Sequence, residues 1–196
     1  VRRTEDITMF IDKLKSEIKH QEEVAQGIMA SIEDYCDQSL VAGGAPRNWH
    51  LGRKARDLDI YCYKMNSGIF KALEENGYKV TVDRCTYPPS KTLNINSIIS
   101  FVCLGVPVQL ICVDKCKGTF ADAVIDHMDL GINKIGYSGL GSCQIHQECA
   151  KDMKYKEVTL YITDNMPNEQ LENSILEHIP KIMGYFKDYT FKVKRA

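Results

Sequence analysis

Between Leu40 and Tyr63 the order of residue types leaves little freedom of local structure. An apolar triplet, Leu40-Val41-Ala42, runs directly into Gly43-Gly44 and then Ala45-Pro46-Arg47. This reads as a short strand, a turn and a short helix carrying Trp49 and Leu51, which leads to Gly52-Arg53. Asp57-Leu58-Asp59-Ile60-Tyr61-Cys62-Tyr63 then alternates polar and apolar residues, the signature of a strand. Two glycines between a strand and a helix let backbone N–H groups approach an anion closely, and the helix N-terminus adds a favourable dipole. Asp57 and Asp59 lie two apart on a strand, so both carboxylates project from one face. Like charges held side by side repel unless a cation sits between them, and hard oxygen ligands suit Mg²⁺. Taken singly, each pattern also fits a plain structural element: a tight turn, or a strand with one face in solvent.

The flanking sequence supplies helices and further strands. Ile7, Phe10, Ile11, Leu14 and Ile18, then Val24, Ile28, Met29 and Ile32, recur at helical spacing from Thr4 to about Tyr35, with Gly27 as a possible break. Ser67-Gly68 opens a helix through Leu73, closed by Asn76-Gly77. Strands are expected at Tyr78–Arg84, Leu93–Leu104 and Val106–Val113, a helix at Phe120–Met128, and strands at Ile135–Tyr137 and Val158–Ile162. A final helix runs from Glu169 to about His178, where Pro180 interrupts it. The sequence contains no internal repeat and no linker-like stretch. The expected fold is therefore mixed α/β (α+β), a small mixed sheet with packed helices, with all 196 residues in one domain.

Composition narrows the function classes. With 25 Lys+Arg against 26 Asp+Glu, the chain lacks the basic excess of a protein that coats nucleic acid. It has no apolar run long enough for a membrane helix, and its charged start is unlike a signal peptide. A reduced, cytoplasmic setting is the expectation, with most of the 8 cysteines acting as small hydrophobes in strand-like runs. Cys143, His146 and Cys149 are candidate zinc ligands, although the paired C-x₂-C knuckles of such sites are missing. Trp49 is read as a packing residue before a base-stacking platform. Arg84 and Lys91 beside Pro88-Pro89 are read as solvated charges, and Lys192-Val193-Lys194-Arg195 as a frayed basic tail before an RNA-backbone contact.

The ordered combination is more specific than its parts. Strand, Gly43-Gly44, Arg47, helix, Gly52-Arg53 and Asp57-Leu58-Asp59 on a strand together resemble the head domain of the DNA polymerase β nucleotidyltransferase superfamily. More narrowly they are similar to class II tRNA CCA-adding enzymes and bacterial poly(A) polymerases, with a signature of the form GGxxR…LGR…(K/R)DxD. His127-Met128-Asp129-Leu130-Gly131-Ile132-Asn133-Lys134-Ile135-Gly136-Tyr137 is similar to that family's RRDFTINAxxY motif. The resemblance covers about residues 40–137.

It implies a nucleotidyltransferase head fold and transfer of a nucleoside monophosphate from an NTP to an acceptor hydroxyl, with release of pyrophosphate. An RNA 3′ end, such as that of tRNA, is the acceptor class it points to. Asp57 and Asp59 would hold two Mg²⁺ ions, Gly43 and Gly44 would donate N–H groups to phosphates, and Arg47 would neutralise charge on the leaving group. By resemblance alone, Asp129 would accept from a ribose hydroxyl and Asn133 would support it. The chain also departs from the pattern. His127-Met128 stands in place of Arg-Arg, and Gln109 stands where a third acid is often carried, with Asp114 a nearby alternative. The EDxxR motif that selects the base is not found, so base selection should be loose. Two other readings stay open: a nucleotide-binding regulatory module without turnover, and nucleotidylation of a small molecule or protein.

Overall fold

A computed structural model describes residues 2–83, 93–138, 142–163, 166 and 168–195. A long helix, α1 (Arg2–Ser31), leads through a 3₁₀ turn into β1 (Gln38–Ala42), α2 (Gly44–His50), β2 (Leu58–Tyr63) and α3 (Gly68–Glu75). Next come β3 (Thr81–Asp83), β4 (Leu93–Cys103), β5 (Val106–Cys116) and α4 (Phe120–His127), then β6 (Ile135–Tyr137) and β7 (Cys143–Ile145). The chain continues through α5 (Gln147–Tyr155), β8 (Glu157–Ile162), α6 (Asn168–Asn173), a π turn (Ser174–His178), α7 (Ile179–Tyr185) and β9 (Thr190–Arg195).

Seven strands form one mixed sheet in the order β3-β4-β5-β2-β1-β6-β7. Strands β2 and β5 run parallel, which places Asp59 directly beside Gln109 and Tyr61 beside Ile111. The expected class, a mixed sheet with packed helices, is the one observed. Alternation along β2 sorts its side chains. Leu58, Ile60 and Cys62 go to one face, where Val24, Ala25, Ile28 and Met29 of α1, with Ile32 just beyond it, join Ile69 and Leu73 of α3 in the larger core. Tyr61 goes to the other face, packed with Leu40, Ala42, Ile111 and, from α4, Phe120, Ala123 and Val124. Asp57 and Asp59 share the parity of Tyr61, on the face that α4 covers only in part.

Several expectations are corrected. Gly27 does not break α1, which passes through it with open space where a Cβ would stand. Only Thr81–Asp83 of the expected Tyr78–Arg84 strand is extended, while Arg84, Pro88-Pro89 and Lys91 lie outside the described residues. Lys192–Arg195 is not a frayed tail: it lies in β9, which pairs in parallel with β8 as a second sheet. Helix α5 and strand β7 were not expected at all.

Pro180 does not end the last helix either. The Ile179 N–H reaches back to the Ser174 carbonyl, a π turn, and the helix resumes as α7 with Pro180 in its first turn. In an α-helix that ring would clash with the carbonyl four residues back, and the wider turn removes the conflict. Ile182 and Phe186 then bury against Leu130, Ile132, Val158 and Leu160. Among the described residues, no helix is long and apolar enough to cross a membrane.

Gly131, between α4 and β6, is a point of close approach. A Cβ there would stand 2.7 Å from Asp152 Oδ2 and 2.8 Å from Tyr161 Cε2. Asp152 cannot easily swing away, because it accepts from the Thr159 backbone N–H at 2.9 Å and the Thr159 hydroxyl at 2.7 Å. Gly131→Ala should therefore cost about 2–3 kcal/mol through overpacking, a fall in Tm of roughly 5–10 °C. An unchanged melting midpoint in a thermal scan would refute this.

Candidate active site

The face that carries Asp57 and Asp59 forms the floor of a cleft of about 500 Å³. Gly43, Gly44, Arg47 and Asn48 make one wall, and His127, Met128, Asp129 and Asn133 line the segment after α4. The C-terminal helix also lines the cleft, through Gln170, Asn173, Glu177, His178, Lys181 and Tyr185. All the residues assigned to nucleotide or metal from sequence thus converge on one cavity: Gly43, Gly44, Arg47, Asp57, Asp59, Asp129 and Asn133.

Asp57 sits one residue before β2 and Asp59 within it. Burial, and then the charge of Asp57, push the Asp59 carboxyl up to about 6. Asp57 Oδ2 accepts from Arg56 Nε at 3.0 Å and Nη2 at 2.7 Å, and Asp57 lines the cleft. Gln109 stands beside Asp59 across the strand pair and lines the cleft. Asp114 is corrected as a third ligand: it is exposed, bonded by Asn96, and does not line the cavity. Among the described residues, no three His, Cys, Asp or Glu side chains converge as a metal cluster. The donor set present is two carboxylates and one amide. It fits Mg²⁺, which takes one or two protein carboxylates and completes its shell with water and phosphate oxygens.

Arg47 is buried, at 4% exposure, and burial pushes its guanidinium down to about 10. It remains a cation at neutral pH. Its Nε and Nη2 donate to Asn48 Oδ1 at 3.0 and 2.8 Å, and Nη1 donates to Asn133 Oδ1. Asn133 therefore acts here as a holder of Arg47. The Arg47 guanidinium also lies 5.3 Å from the centre of the Phe186 ring, and that of Arg53 lies 4.9 Å from it. These two arginines clasp the end of the C-terminal helix.

The two glycines differ. Gly43 has φ +80°, which favours glycine, and its N–H donates to the Ile135 carbonyl at 3.0 Å. The turn thus uses the Gly43 N–H internally, and Gly44 opens α2 beside it. Asp129 is buried and accepts at Oδ2 from the Ser174 hydroxyl at 2.6 Å and from His178 Nδ1 at 2.7 Å. Burial raises its carboxyl, but the hydrogen bonds from His178 and Ser174 outweigh that and hold it below the usual carboxylate range.

Other sequence candidates fall away from the cleft. Trp49 is buried edge-on to Tyr137, with its Nε1–H donating to Gln21 Oε1 at 3.1 Å, so it packs and offers no platform for a base. Cys149 is buried and donates to the Ile132 carbonyl, His146 caps α5, and Cys143 lies exposed on β7, so each has a separate position and role. Sequence reasoning missed Ser174, His178 and Lys181. Their signal was present only as a polar stripe on the last helix, with no nearby partner to give it meaning.

Comparison with solved structures settles the fold. A tRNA-processing enzyme in an apo form superposes with a TM-score of 0.58 at 15% identity, over 88% of this chain and 43% of its own. A tRNA nucleotidyltransferase complexed with a primer tRNA and an incoming ATP analog gives a TM-score of 0.56 at 15% identity, over 86% and 46%. This chain has a nucleotidyltransferase-like fold. The Bacillus stearothermophilus CCA-adding enzyme in complex with CTP is similar too, with a TM-score of 0.55 at 14% identity over 86% and 40%. The nucleotidyltransferase-like chain described here thus spans less than half the length of each of these structures. No protein-family model and no curated protein sequence matches it.

Proposed function

We propose that the cleft is the active site of a nucleotidyltransferase that moves a nucleoside monophosphate from an NTP to an acceptor hydroxyl. The observation that carries this reading is the convergence of Asp57 and Asp59 on a cavity whose facing wall holds Gly44 and the buried cation Arg47. Asp57 and Asp59, with Gln109 beside them, would hold two Mg²⁺ ions. Bound there, the metal would acidify the acceptor hydroxyl and offset charge on the leaving pyrophosphate. Gly44 offers its N–H to the phosphates, and Arg47, fixed by Asn48 and Asn133, faces the charge that builds on the leaving group. Asp129 spends much of its accepting capacity on Ser174 and His178, and a remaining lone pair serves a ribose hydroxyl. The acceptor oxygen bonds to the α-phosphorus as the bond to the bridging oxygen breaks. Its proton passes to water and pyrophosphate departs.

For the acceptor we favour an RNA 3′ end, because a solved neighbour is a tRNA nucleotidyltransferase bound to primer tRNA. A second reading, nucleotide binding without turnover, is favoured by one feature: the amide of Gln109 beside Asp59 where a third carboxylate would complete the donor set. Incubation with each labelled NTP, Mg²⁺ and a mixed RNA pool separates them. Transfer predicts labelled RNA and stoichiometric pyrophosphate. Label-free RNA with saturable NTP binding selects the second reading.

Base selection should be loose. A pocket discriminates strongly when the wrong base leaves buried hydrogen-bonding groups unpaired. Asn173 and Glu177, two of the polar groups that the C-terminal helix offers, are exposed and stay hydrated whichever base is bound. Preference among the four NTPs should stay below ~10-fold, about 1.4 kcal/mol, with ribo- favoured over deoxy-forms through Asp129. Comparing kcat/KM for the four NTPs and dATP on one acceptor checks this, and a strict single-base preference would refute it.

A further inference from the structure

The cleft holds one chemical device that the sequence motifs do not account for. His178 points its Nδ1 at Asp129 Oδ2, 2.7 Å away, and Ser174 holds the same oxygen at 2.6 Å. The carboxylate can only accept, so Nδ1 carries a hydrogen and the tautomer is fixed. The His178 side chain is 51% exposed while that of Asp129 is 8% exposed, so the dyad is anchored at its buried end and open at the other. Nε2 has no partner among the described residues, and His178 lines the cleft. Three residues along the helix, Lys181 acts on the charge of Asp59. His178 and Lys181 line the same cleft as Asp129, Asp57 and Asp59.

We propose that His178, oriented by Asp129, is a nucleotide-contacting residue whose imidazolium Nε2–H binds a phosphate oxygen of the substrate. The inference rests on the reading of the cleft as a nucleotide site. Charge makes the contact useful. The lining carboxylates Asp57, Asp59, Asp129, Glu169 and Glu177 outnumber the permanent cations Arg47, Arg56 and Lys181, and Arg56 is committed to Asp57. A polyphosphate entering this space gains from one further cation. His127 does not supply it, because burial holds its imidazole below the usual range.

The groups facing His178 set when it is charged. The hydrogen bond to Asp129 raises its proton affinity most, burial opposes this, and the charges of Asp129 and Glu177 raise it while that of Lys181 lowers it. The net direction is upward from 6.5, so the imidazolium persists to higher pH than that of an unperturbed histidine and is lost as the pH rises further. Asp129 is a positioning residue in this arrangement.

The test is calorimetric titration of Mg-ATP into the full chain between pH 6.5 and 8.5. Wild-type affinity should fall by ~10-fold across that range. His178→Gln should be weak and flat, with any residual slope reporting the other titrating groups. His178→Arg should be tight and flat, and Asp129→Asn should move the wild-type midpoint to lower pH. Thermal scans confirm that the His178 variants remain folded, as its exposure leads one to expect. Wild-type affinity and slope in His178→Gln overturn the inference and leave the nucleotide reading intact. Absence of ATP binding by the wild type at every pH overturns both.

Discussion

Asp57→Asn and Asp59→Asn should each lower kcat/KM for nucleotidyl transfer by at least ~10³-fold, about 4 kcal/mol, without unfolding the protein. Under the proposed function, each substitution removes one of the two carboxylates that would hold Mg²⁺, beside which stands the amide of Gln109. The stability readout separates the two positions. The Asp59 carboxyl is raised from 3.8 to about 6, by burial and then by Asp57. A group raised on folding favours the folded state below its unfolded value, and that contribution is lost as the pH climbs from 3.8 through about 6. The metal-free protein at pH 7.5 therefore carries an ionised, repelled Asp59. Asp59→Asn removes the repulsion, so its Tm should equal or exceed that of the wild type. Asp57→Asn removes the same repulsion but also loses the half-exposed pair with Arg56, which is worth little, so its Tm should stay near that of the wild type. Added Mg²⁺ should raise the wild-type Tm and leave both variants unmoved. Near wild-type turnover in either variant, or the unfolding of both, would sink the assignment.

Arg47→Ala should damage function and fold together. The buried guanidinium satisfies the half-buried Asn48 and Asn133 and stacks on the buried Phe186. Leaving those amide oxygens unpaired costs about 2–3 kcal/mol, a fall in Tm of roughly 5–10 °C. Assayed well below that midpoint, kcat/KM should fall by ~10²-fold or more, since a fixed cation facing the leaving group is lost. Arg47→Lys keeps the charge but cannot fork to two amides while stacking on a ring, so it should recover only part of both losses. An Ala variant with the wild-type Tm and KM would show that Arg47 neither braces the cleft nor meets substrate.

What the sequence displayed was whatever depends on near neighbours. The period-2 run through Leu58, Ile60 and Cys62, and the glycines after Ala42, report strand, face and turn from a few residues each. Asp57 and Asp59 were legible for the same reason. The Asp129–His178 bond was not, because its partners are 49 positions apart, and neither was the Cys149 bond to the Ile132 carbonyl, 17 positions away. Helix α5 buries only Cys149 and Asp152, too thin a stripe to announce itself. In β9 the lysines hid the alternation of Phe191 and Val193, since every residue of that edge strand is exposed. Gln109 could be suspected from sequence, but only the β2–β5 register brings it next to Asp59 and removes Asp114 from consideration.

The π turn before Pro180 fixes a phase relation along the last helix. Upstream of it and within it, Ser174 and His178 must face Asp129. Downstream, Ile182 and Phe186 must face Leu130 and Leu160. A wide turn is equivalent to one residue inserted into an otherwise regular helix, and each residue of an α-helix turns the chain by about 100°. An unbroken α-helix could aim one of those two sets correctly and would rotate the other away. The inserted residue lets a single rod serve as a brace for the hydrophobic core at one end and as a donor array for Asp129 at the other. The spacing between Asn173 and Ile179 is therefore as much a constraint on this cleft as the identity of any residue in it.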